Sequence, residues 1–150
     1  MTHRFTPPGT EVRDVAPRTQ TSFAKVFATV LVASAVALLL SWVVAPLLAE
    51  ALTVSLGHEV EPPGATMLAF DVVLSVAAFV ACAYAAARIC YGRELLAIIA
   101  VCLVGWAVFF YEVGGFAGML AAKFPLWYEF LPSHVIAALI AFWLVRRRES

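Results

Sequence analysis

With 150 residues, 63% of them hydrophobic and only 13% charged, this chain departs in both directions from soluble domains, which run near 45–50% apolar and about 25% charged. A soluble core of this size cannot hide so much apolar surface, and a mean hydropathy of +0.93 points to the bilayer as solvent. The formal net charge of zero gives no basis for nucleic-acid binding, and the cysteines (Cys82, Cys90, Cys102) form neither a C-x-x-C motif nor a disulfide framework.

Residues 1–21 are polar, contain Pro7, Pro8, Gly9 and Pro17, and show no apolar periodicity, so they read as an extended tail. Ser22 is a suitable N-cap for a first span over 22–56. Between 26 and 48 that span has no ionisable side chain. At 1.5 Å per residue it is roughly 52 Å long, more than the bilayer core of about 30 Å. A tilt, or a kink at Pro46, is expected. Ala49-Glu50-Ala51 has a small-x-small form, but the apolar run before it is too long for a signal peptide and follows a long polar tail, so the span is read as retained.

Residues 57–66 form a turn-rich connection. The second span, 66–91, places Ala77, Ala81 and Ala85 on one helical face, beside Ala78, Cys82 and Ala86. Small side chains let membrane helices approach closely, which makes this span the expected centre of the bundle. The connection Tyr91-Gly92-Arg93-Glu94 is short enough to force an antiparallel hairpin. The third span is expected over 94–120, with Gly114 and Gly118 as a G-x-x-x-G contact pair. The fourth, 126–145, starts before Pro132 because the stretch beyond that proline is too short to cross. Residues 146–150 form a basic end.

Charge orients these spans. Nine of the ten Lys and Arg residues lie in the first tail (Arg4, Arg13, Arg18, Lys25), the middle connection (Arg88, Arg93) and the C-terminus (Arg146, Arg147, Arg148). The other two connections hold Lys123 with Glu50, Glu59, Glu61 and Glu129. Basic loops stay cytoplasmic. The expected fold is an all-α membrane protein, four transmembrane helices in an antiparallel bundle with both termini cytoplasmic, in a bacterial inner (plasma) membrane. Trp127, Tyr128 and Tyr111 fall at the expected outer interface, and Tyr91 and Trp143 at the inner one.

Ionisable residues inside a membrane are costly and by default functional. Asp71, Glu112, Lys123, Glu129 and His134 all read as lying near the outer boundary at one depth, a candidate proton or ion cluster. The competing account is interfacial: Asp71 and Glu129 cap helix N-termini, and Glu112 reaches the headgroups. His58 with Glu59 and Glu61 is read as a solvated loop, and no metal site or cofactor is expected. Haem is disfavoured because only His134 lies near a span.

The sequence contains no nucleophile elbow, zincin motif or phosphate-cradling loop. The expectation is a small polytopic membrane protein, not an enzyme, acting as an accessory or assembly subunit of a larger membrane complex. Its partners would be the lipid bilayer and another membrane protein or further copies of itself. The alternative is a homo-oligomeric channel or proton-coupled small transporter using the outer acidic and histidine cluster. A lipid-active enzyme is a third possibility, for which the residues name no nucleophile.

Overall fold

The computed structural model describes residues 19–57, 65–112, 114 and 126–149. Every regular element among them is helical: α1 (Phe23–Leu39), a π-helical turn (Leu40–Val44), α2 (Ala45–Ser55), α3 (Ala65–Ile89), α4 (Glu94–Glu112) and α5 (Leu126–Glu149). The first three run on as one rod, so the described chain forms four helical rods. Three are long and apolar enough to cross a membrane: Phe23–Ser55, Thr66–Ile89 and Glu94–Tyr111. The fourth, α5, carries Glu129, Pro132, Ser133 and His134 in its first half and three arginines in its last turn.

Local chemistry sets the helix ends. Ser22 caps α1, its Oγ accepting from Lys25 N–H at 3.4 Å. The interruption near the middle of the first rod precedes Pro46. Ala45 N–H donates five residues back to Leu40 O, and Pro46 has no N–H to donate and crowds the preceding turn. The widened π turn accommodates both effects without ending the rod. Gly57 stops α2 in the left-handed region, with φ +74.

The α3–α4 turn is built on Gly92, with φ +76. Glu94 Oε1 accepts the Gly92 N–H at 2.6 Å, and its carboxylate also suits the N-terminal end of α4. Residues before α1 are tied to this turn: Thr21 N–H donates to Tyr91 O at 3.0 Å, and Gln20 Nε2 to Gly92 O at 3.1 Å.

The expected third span over 94–120 is not one helix. α4 ends at Glu112, and exposed Gly114 stands in a turn with φ +81, its N–H donating to Tyr111 O at 3.1 Å. A left-handed residue cannot continue an α-helix, so Gly114 is a helix stop rather than a helix-packing residue. Gly118 lies outside the described residues.

α3 touches every other helix. Its buried edge is Phe79, Cys82, Ala83, Ala86, Ala87 and Cys90; α4 contributes Ala97, Ile98, Val101 and Cys102, and α5 His134, Ala137, Ala141 and Val145. The first rod buries Val26, Val30, Ser34, Ala37, Ser41, Ala45, Ala49 and Thr53, at steps of three and four. Most of these side chains are small, while Phe23, Phe27, Leu31, Leu39, Leu47, Leu139 and Trp143 are exposed. A water-soluble bundle would invert this order. In lipid, burying a large apolar side chain gains nothing over leaving it outside, and small residues win the interface because they allow close backbone packing.

Candidate functional site

Three helices meet at Phe79 of α3, Gly105 of α4 and His134 of α5. His134 is 8% exposed, and among the described buried polar residues (Ser34, Ser41, Thr53 and His134) it is the only imidazole. Its ring meets Phe79 edge-on, centroids 4.5 Å apart at 61°, and Ser133 Oγ lies 3.4 Å from its Nδ1. Gly105 makes the junction possible: a Cβ there would overlap the Phe79 ring and stand 2.9 Å from His134 Nε2. Beside it, between α4 and α5, runs a groove of about 700 Å³ lined by Cys102, Trp106, His134, Ala138 and Phe142 among others. His134 and the Trp106 indole N–H are the polar features of that apolar wall.

Of the five residues expected at one depth, His134, Asp71 and Glu112 separate along the helix axes. His134 is level with Phe79 and Gly105. Asp71 lies eight residues from Phe79 along α3, about 12 Å, and Glu112 seven residues from Gly105 along α4, about 10 Å. Measured from the other end, Gly105 is eleven residues past Glu94, roughly 16 Å into the helix. The imidazole therefore sits near the middle of the bundle's length, and the shared-depth cluster is corrected on this point. The physical reason is register: α5 continues to Glu149, so its position is set from the arginine end and not by Pro132. Asp71 is half-buried. Lys123 lies outside the described residues, and so do the side chains of Glu112 and Glu129. No three His, Cys, Asp or Glu side chains gather as a metal site among the described residues.

Ala77, Ala81 and Ala85 are exposed. The ridge expected to pack inside the chain instead faces away from it, and internal packing uses the neighbouring edge through Phe79, Ala83, Ala86 and Cys90. The exposed ridge is longer than its three alanines: Ala69, Val73, Ala77, Ala81, Ala85 and Ile89 recur every fourth residue and are all exposed.

The cations gather at one end. Arg93 Cζ lies 3.2 Å from the Phe23 ring centroid, Arg147 Cζ 5.1 Å from that of Trp143 and Arg148 Cζ 5.9 Å from that of Tyr84. Sequence reasoning singled out neither Phe79 nor Gly105. The available signal was a glycine in the middle of the apolar run Leu103-Val104-Gly105-Trp106, where a helix gains nothing from glycine unless something approaches closely.

These features define a helical protein of membrane type, with small residues inside, large apolar residues outside and a basic end. No protein-family model matches the chain, and no curated protein or solved structure matches it either.

Proposed function

We propose that this protein is a four-span, non-catalytic subunit of a larger membrane complex, and that it acts by presenting one face of α3 to a transmembrane helix of its partner. The observation that carries the reading is the exposed stripe from Ala69 to Ile89. From Ala69 to Ile89 the helix rises about 30 Å, which is the thickness of a bilayer core. Four of its six positions are alanine, whereas the exposed positions of the first rod are largely Phe, Leu, Val and Trp. Lipid is served equally well by large side chains; a second helix packs closely against small ones. α3 contacts all the chain's other helices, so a partner seated there would be braced by the whole bundle.

Described cations from four segments, Lys25, Arg88, Arg93 and Arg146 to Arg148, lie at the same end as the α3–α4 turn. Under the positive-inside rule, this supports the orientation with both termini cytoplasmic.

The test is native mass spectrometry of the tagged full chain, extracted gently from its own host. We expect a heteromeric assembly of defined stoichiometry that Ala77→Leu with Ala81→Leu dissociates, while helicity and thermal unfolding of the isolated chain stay as in wild type. An assembly unchanged by both substitutions, or wild type found alone, would overturn the reading.

A second reading, a homo-oligomeric channel or proton-coupled carrier, draws on buried His134. Against it stands the offset of about 12 Å along α3 that separates Asp71 from the level of the imidazole, too far for direct proton transfer between them.

A further inference from the structure

We infer that the basic end of the bundle is a binding site for one anionic phospholipid, its phosphate held between Lys25, Arg88 and Arg148 and one acyl chain laid between α1 and α3. The inference rests on the membrane reading above, but not on the partner helix.

A crevice of about 730 Å³ opens at this end, and three cations from three different helices line it: Lys25 at the start of α1, Arg88 at the end of α3 and Arg148 at the end of α5. Glu94 is the one acid in its wall, and that carboxylate is already turned to the Gly92 N–H. Three positive charges against one negative leave the lining at +2. The cations are placed by the fold. Arg148 lies over the Tyr84 ring, and the residues before α1 are tied to the α3–α4 turn by Thr21 and Gln20, which brings Thr19 and Thr21 into the lining. Charge-assisted contacts from Lys and Arg are the donors a phosphate takes.

An apolar groove lies next to the crevice. Ile89 lines both. The groove has a volume of about 420 Å³ and small walls, Ala28 and Ala33 on α1 and Ala85 and Ala86 on α3. It begins one helical turn beyond Lys25 and runs to Val36, about 12 Å from Ala28. One leaflet of the hydrocarbon core is about 15 Å deep. Polar crevice and apolar groove thus follow each other in the order, and over the length, of a lipid's phosphate and its chain. A zwitterionic lipid neutralises its own phosphate, so a lining of +2 selects a lipid with net negative charge.

The delipidated full chain, titrated with dioleoylphosphatidylglycerol and with dioleoylphosphatidylcholine, reports this directly when bound lipid is counted by native mass spectrometry. One phosphatidylglycerol should be retained in preference to phosphatidylcholine. Lys25→Gln, Arg88→Gln and Arg148→Gln together should lower that preference on the order of a hundredfold, and Arg148→Gln alone about fivefold. Arg148→Gln changes one exposed helix end and keeps the proposal testable should the triple variant not fold. Ala28→Phe, which fills the mouth of the groove, should also weaken phosphatidylglycerol.

Equal retention of the two lipids would overturn the site. So would an equal loss in an Arg146→Gln, Arg147→Gln control, whose side chains lie outside the crevice. Displacement of the lipid by inorganic phosphate would reduce the site to a free-anion one and overturn the lipid assignment. The partner helix and the acyl chain share Ala85 and Ile89 at the basic end of the stripe, but the partner-helix test uses Ala77 and Ala81, which line neither cavity, so the two readings are tested at different positions.

Discussion

The His134 imidazole packs edge-on against Phe79, with ring centroids 4.5 Å apart, and Gly105 of a third helix leaves the space for both. The contact joins α3 and α5 at mid-length, where α4 presents Gly105 to both rings. Elsewhere the buried core is mostly alanine, valine and cysteine, with Ile98, and Phe79 and His134 are the two rings among the described buried residues.

Adding a methyl group at Gly105 therefore acts on α3 and α5 at once. A Cβ there meets the Phe79 ring and His134 Nε2 together, so both rings must shift to admit it. Gly105→Ala should destabilise the chain by about 1–3 kcal/mol, the usual cost of overpacking a filled interior. Ala107→Gly, at an exposed position two residues on, should cost no more than the ordinary helix-propensity penalty of about 1 kcal/mol. Denaturant unfolding in mild detergent measures both. Equal losses would mean that the junction is slack.

Gly92 is required for a different reason. Its φ of +76 is disfavoured for residues with a Cβ, and such an atom would also stand 2.9 Å from Gln20 Cγ. Gly92→Ala should cost about 1–2 kcal/mol from backbone conformation alone. It should also loosen the segment before α1, because Gln20 is displaced. Faster amide exchange at Thr21, whose N–H is bonded to Tyr91 O, would report the second effect. A stability loss with unchanged exchange there would show that the tie does not depend on this turn.

Helical character and the apolar rods were legible in the sequence because the charge-free runs end at Glu50, Arg88 and Glu112, shortly before the stop glycines Gly57, Gly92 and Gly114. The edge of α3 that packs was not. From Ala77 to Ala87 nearly every position is small, so a ridge can be drawn at spacing four along several edges, and periodicity does not choose between them. Phe79 and Cys90 mark the true inner edge only once their neighbours are known. The end of α4 was overrun because apolar residues continue past Gly114, and hydropathy does not register a left-handed φ. The depth of His134 was misjudged because Pro132 looked like a boundary. The gathering of Lys25, Arg88 and Arg148 at one crevice was invisible, since it joins residues from distant parts of the chain through the antiparallel fold.

Orientation can be read by thiol labelling. Cys82, Cys90 and Cys102 are 8%, 0% and 6% exposed, so the wild-type chain should react slowly and give a low background. Gln20→Cys and Ser55→Cys place an exposed thiol at opposite ends of the first rod. If the basic end is cytoplasmic, a membrane-impermeant maleimide added to intact cells should label Ser55→Cys, and Gln20→Cys only after permeabilisation. The reverse pattern would place both termini outside.

Buried His134 also supplies the sharpest test between subunit and carrier. A subunit that acts by binding needs no proton path, so liposomes containing the purified full chain should acidify no faster under a pH gradient than protein-free liposomes. His134→Gln should leave that baseline unchanged, since glutamine keeps a donor and an acceptor at the junction without titrating. A proton flux above baseline that His134→Gln abolishes would replace the subunit reading with a carrier. Flux lost in Glu112→Gln as well would require a relay to bridge about 10 Å along α4, through water or through a second copy of the chain.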